Sequence, residues 1–128
     1  HSMLFALRHP DIVGLTISQS GVYDARFFTG EFGSDIAAYE NSPVDFLWNM
    51  SDPWFLDQYR QNQFIVSVGQ GDWEGPHVAA THKLEEAFHA KNIQGWFDYW
   101  GHDVPHDWDA WRDQIYYFAT KLEDLGII

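Results

Sequence analysis

The chain has no cysteine, so it carries neither a disulfide framework nor thiol chemistry. Cations are scarce: seven Lys plus Arg stand against nineteen Asp plus Glu, for a formal net charge of −12. So few cations cannot build the basic patch that nucleic acid or an anionic membrane requires, and acidic substrates are repelled at long range. Long apolar runs are also missing, and nothing approaches the roughly 18 residues of a membrane-spanning helix. The opening His1-Ser-Met-Leu-Phe-Ala-Leu-Arg8 lacks the basic region and long apolar core of a signal peptide. The expectation is a cytoplasmic protein that binds neither nucleic acid nor membrane.

What the chain does have is core material. Its 128 residues are 45% hydrophobic and 20% charged, the balance of a single folded domain rather than a disordered chain. Seven Trp and an aromatic share of 18% are a heavy load for this length, mostly for the core, with a minority free to line a ligand site.

Three short apolar runs read as buried strands: Ile12 to Ser18, Phe64 to Val68 and Gly95 to Trp100. Helical spacing marks residues 77–91, with Ala80, Leu84, Ala87 and Phe88 as the buried face. A last helix runs from Asp107 to about Leu125, with Trp108, Trp111, Ile115, Phe118, Ala119 and Leu122 on one stripe. Residues 1–8 read as the end of another helix, stopped by His9-Pro10. Strand and helix in alternation predict an α/β fold with a parallel sheet and right-handed crossovers. Residues 25–62 form a long excursion with helical pieces at 34–39, 43–49 and 53–61, either a lid-like insert or cleft wall or a packed structural insert within one domain.

Two strand-to-helix loops carry the chemistry. Gly69-Gln-Gly-Asp72-Trp73-Glu74 follows the second strand, and Gly101-His102-Asp-Val-Pro-His106-Asp-Trp108 follows the third. An acid after one strand and a His after the next is the acid–base part of an acid-base-nucleophile relay at the carboxyl edge of a parallel sheet. Spacing alone leaves Asp72 and Glu74 both open as the acid, and His102 and His106 both open as the base. Trp73 beside the acid loop is a cleft-lining candidate, as is Tyr23 in the turn that leaves the first strand. His82, Glu86 and His89 share one helical face, but that face lies opposite the apolar one and reads as solvated, so no metal site is assigned. No cofactor is expected.

Four stretches together resemble one family: His1 to Pro10, Ser20-Gly-Val-Tyr-Asp-Ala-Arg-Phe27, Val68-Gly-Gln-Gly-Asp-Trp-Glu74 and Asp98-Tyr-Trp-Gly-His-Asp-Val-Pro-His-Asp-Trp108. The chain is similar to the second part of the α/β-hydrolase fold, in particular to the esterases related to the esterase D group. The resemblance covers essentially all 128 residues. It implies that Asp72 is the acid and His106 the base of a Ser-His-Asp triad, with Trp73, Tyr23, His102 and Glu74 near the substrate. It also implies that the nucleophilic Ser belongs to an elbow lying before His1, so that residues 1–8 continue the elbow helix and Ser2 is not the nucleophile. No serine of the chain sits in Gly-x-Ser-x-Gly. The expectation is therefore the C-terminal portion of a serine hydrolase of carboxylic esters, holding acid and base but no attacking group and inactive alone. Its expected partners are a small-molecule ester, and a second copy or the absent N-terminal portion, which would cover the edge near Ile12 to Ser18 and the apolar Leu4, Phe5 and Leu7. The alternative is a non-catalytic ligand-binding or assembly module on the same fold.

Overall fold

Phe64-Ile-Val-Ser-Val68 is buried along its whole length, which an apolar strand achieves only with a layer on each face. The computed structural model of the chain describes residues 2–23 and 42–127. In them this run belongs to β2 (Gln63–Val68), the middle strand of a three-stranded parallel sheet. On one side lies β1 (Leu15–Gln19), in register Ile17 with Ile65; on the other lies β3 (Trp96–Tyr99), with Val68 beside Tyr99. The helices are α1 (Ser2–Arg8), α2 (Pro43–Trp48), α3 (Pro53–Gln61), α4 (Gly75–Ala90) and α5 (Trp108–Asp124). The architecture is α/β, as the alternation of elements predicts. Residues 34–39, read as a helical piece, lie outside the described residues.

The two faces of β2 are covered unequally. Phe64 and Val66 join the larger core with Met3 and Leu7 of α1, Leu47 of α2, Tyr59 of α3, and Leu84 and Phe88 of α4. Tyr59, fully buried, donates its hydroxyl to the Leu7 carbonyl, satisfying an acceptor that the end of α1 leaves free. Ile65 turns the other way, under Phe118 and Leu122 of α5, with Leu15, Ile17 and Trp96 only partly covered. Among the described residues β1 and β3 are each paired on one side only.

Three expectations shift. The first strand starts at Leu15, not Ile12, because residues 9–13 turn back on α1 through His9, whose carbonyl accepts from the amides of Ile12 and Val13. In α1, Leu7 is buried together with Met3 and Ala6, and only Phe5 of the three named apolar residues is exposed. The inward stripe of α5 is Ala110, Gln114, Phe118 and Leu122, so Trp108 is left 70% exposed and Ile115 also faces outward. Counting apolar residues missed this face because one of its members is polar. Gln114 Oε1 accepts from Ser67 Oγ at 3.0 Å and from Gln19 Nε2 at 3.2 Å, while its Nε2 is buried without a hydrogen bond among the described residues.

Candidate active site at the carboxyl edge of the sheet

Parallel strands deliver their exits to one edge. There β1 runs into Ser20, β2 into the Gly69–Glu74 loop, and β3 into the Trp100–Asp107 loop. The last two are fastened backbone to backbone. Gln70 N donates to Gly101 O at 3.1 Å, Gly71 N to Val104 O at 3.0 Å, and His106 N to Asp72 O at 2.9 Å. Such an approach leaves no room for side chains: a Cβ on Gly69 would stand 2.1 Å from Val104 O, and one on Gly71 2.8 Å from His102 O. The glycines of the acid loop are thus what lets the His loop lie on it.

The carboxylate that this brings to His106 belongs to Glu74. Trp73 sits in the left-handed region at φ 67° and is 84% exposed, while the next side chain, Glu74, is fully buried. Glu74 Oε1 lies 3.4 Å from His106 Nδ1, within ion-pair reach but longer than an ordinary hydrogen bond. Both His106 Nδ1 and Glu74 Oε2 are buried without a hydrogen bond among the described residues. The same Oε1 accepts a 2.7 Å bond from Ser20 Oγ. Asp72, assigned as the acid by the family pattern, is exposed and meets His106 only through its main-chain carbonyl. The turn at Trp73 leaves the Asp72 side chain exposed and the Glu74 side chain buried.

Rings fix the imidazole from two directions. His77, in the first turn of α4, stacks on His106 with centroids 4.3 Å apart and planes 10° from parallel. Trp111 of α5 meets it edge-on at 4.8 Å. The His106 side chain is 29% exposed although its Nδ1 is buried, so the accessible part is the rest of the ring. Nδ1 faces the acid, and the remaining nitrogen, Nε2, is the one able to serve a reactant. The pattern places Trp111 on the stripe of the last helix but not beside His106, and gives no sign of His77 or Ser20 there; the Ser and the Trp lie 54 and 37 residues from Glu74, and nothing local marks their convergence.

The remaining site candidates are placed apart. His102 is exposed, its Nδ1 3.2 Å from Gln70 O. Tyr23 is buried rather than lining a cleft; its hydroxyl pairs with Ser18 Oγ at 2.7 Å, and burial pushes its pKa up to about 12. A groove of about 570 Å³ runs along the outer side of the His loop between Trp100, Pro105, Asp107 and Asp113, and neither His106 nor Glu74 lines it. On α4, His82, Glu86 and His89 are all exposed, and His82 stacks on Tyr99 at 4.6 Å. Among the described residues no group of three or more His, Asp or Glu is arranged to hold a metal ion, and no helix is long and apolar enough to cross a membrane.

Of the described serines, Ser51 is exposed just before α3, and the others are bonded within the fold or start a helix. Ser18, Ser42 and Ser67 are buried on structural bonds to Tyr23, to the Tyr23 carbonyl and to Gln114. Ser20 is buried with its hydroxyl donating to Glu74 Oε1, and Ser2 starts the exposed end of α1.

If the glycine contact orders the site, Gly71→Ala lowers stability by about 1–3 kcal/mol through overpacking. It also speeds hydrogen exchange at the Gly71 and His106 amides more than at Ile65 and Val66. Equal acceleration at all four amides would show that the loops are not held by this contact.

No protein-family model matches the chain, and no curated protein does. Among solved structures a ferulic acid esterase has the same fold, with a TM-score of 0.67 at 18% identity over 90% of this chain. The match covers 43% of that esterase, so the chain spans less than half its length. At that identity the likeness shows the fold alone: an α/β fold of the esterase-like kind.

Proposed function

We propose that the chain supplies the acid–base part of a serine hydrolase acting on carboxylic esters, with His106 as general base and Glu74, in preference to Asp72, as the carboxylate that orients it. The observation that carries this reading is a buried carboxylate 3.4 Å from an imidazole, at adjacent strand exits of a fold shared with an esterase. The Glu74 carboxylate has its hydrogen bond from Ser20 and, within ion-pair reach, an imidazole, the side chain suited to proton transfer near neutral pH.

In this reading the attacking Ser and the oxyanion donors lie on a segment outside the 128 residues, and the chain corresponds to the C-terminal portion of the whole enzyme. The Ser hydroxyl attacks the ester carbonyl while His106 Nε2 takes its proton. Collapse of the tetrahedral intermediate expels the alcohol, to which His106 returns that proton. Water then releases the acid by the same two transfers. Glu74 faces Nδ1 and steadies the imidazolium as it forms.

Two outcomes follow. The isolated chain hydrolyses p-nitrophenyl acetate no faster than its His106→Ala variant. When the preceding elements are supplied, Glu74→Gln lowers kcat/KM by about 10²–10⁴-fold and Asp72→Asn leaves it within about threefold. Labelling of Ser2, Ser18 or Ser20 by a serine-reactive phosphonate, with turnover in the isolated chain, would place the nucleophile inside these residues. A greater loss in Asp72→Asn would return the acid role to Asp72.

The sheet edge favours an added role in association. Among the described residues β1 has an unpaired side, and Phe5 and the 73% exposed Ile12 stand near it as exposed apolar surface. The proposed occupant is the N-terminal portion or, in its absence, a second copy. Sedimentation at moderate salt, where the −12 charge is screened, then shows concentration-dependent association. A monomer at high concentration with β1 amides protected from exchange contradicts this.

A further inference from the structure

Resting on the Glu74–His106 assignment above, we infer that Ser20 and Trp111 are positioning residues that lock the Glu74 carboxylate so that His106 keeps its proton on Nδ1. Two hydrogen bonds and one close contact define the chain. Trp111 Nε1 donates to Ser20 Oγ at 3.1 Å, Ser20 Oγ donates to Glu74 Oε1 at 2.7 Å, and that oxygen faces His106 Nδ1. An indole N–H can only donate, and an ionised carboxylate can only accept. The hydroxyl between them is therefore left one arrangement: it accepts from Trp111 and gives its proton to Glu74. With Glu74 ionised, the directions of these two bonds are fixed. An ionised carboxylate held in this way leaves no proton for the imidazole to accept, so the nitrogen facing it must carry one, and Nε2 keeps its lone pair for a reactant.

The placement of both residues is consistent with this task. Ser20 adopts φ 49°, a region that L side chains other than Asn and Asp seldom occupy, and its amide is tied to the Ser67 carbonyl at 2.8 Å. Strain of this kind persists where the surroundings overdetermine it. Gly21 stands next in sequence, a residue that would accept such a φ freely, yet it is the Ser that takes it. Trp111 braces both members of the pair: its N–H reaches Ser20, its ring edge meets His106, and its own carbonyl is held by Gln19 Nε2 at 2.8 Å.

The test is imidazole ¹⁵N–¹H correlation on the full chain labelled at histidine, at neutral pH. The native chain is expected to show His106 as the Nδ1–H tautomer. Ser20→Ala and Ser20→Gly both remove the hydroxyl, but Gly relieves the backbone while Ala does not, so their stabilities move apart. Both are expected to spread His106 over two tautomers, and Trp111→Phe, which keeps a ring against the imidazole, to do so to a smaller extent. Glu74→Gln separates the two levels of the account. If Glu74→Gln alters the tautomer and both Ser20 variants leave it as in the native chain, the positioning role is wrong and the acid–base pair stands. If the native ring carries its proton on Nε2, or Glu74→Gln changes nothing, the pair itself is wrong and the inference falls with it.

Discussion

A carboxylate with no exposure has to be met by donors, and at the carboxyl edge of this sheet that requirement organises everything nearby. Glu74 is buried by the turn at Trp73, answered by a hydroxyl from the exit of β1, and faced by an imidazole from the loop after β3. Each of the three strands thus sends one group to a single point. The glycines at 69 and 71 let the two loops close over one another by main-chain bonds, and α5 closes the other side with Trp111. Withdraw the charge of Glu74 and the hydroxyl, the imidazole and the indole N–H lose their common reason for converging.

The layers behind the site are less balanced. One face of the sheet has α1, α2, α3 and α4 on it, with aromatic rings packed in sequence from Tyr59 through Phe64 and Phe88 to Phe97. Among the described residues the other has α5, over a small cluster centred on Ile65, Phe118 and Leu122. Trp108 and Ile115 on that helix, and Ile12 and Phe5 near β1, remain open to solvent. A single helix covers a narrow strip, so apolar surface beyond its stripe is left for another element to bury.

Much of this was legible in the sequence. Alternating strand and helix patterns, Pro at the first position of α2 and α3, and the Ala80, Leu84, Ala87 and Phe88 face of α4 all announce their structures locally. The two chemical loops were equally plain, since acid and His follow successive apolar strands. What spacing could not choose was the acid. Asp72 and Glu74 differ by a single left-handed residue, and a bulky Trp at φ 67° is not something local preference would suggest. The inward face of α5 was misjudged for a related reason: a buried Gln is acceptable only because Ser67 and Gln19 bond it, and those partners are distant in sequence. Ser20, His77 and Trp111 escape a sequence reading on the same ground.

The central claim is that Glu74, not Asp72, is coupled to His106. A double-mutant cycle in urea unfolding at pH 7 measures that coupling directly. His106→Phe keeps a ring between His77 and Trp111 and removes the nitrogens; it is combined with Glu74→Gln and, separately, with Asp72→Asn. The account predicts a coupling of about 1–3 kcal/mol for Glu74 and no more than about 0.5 kcal/mol for Asp72. Coupling confined to Asp72, with Glu74 and His106 additive, would contradict it.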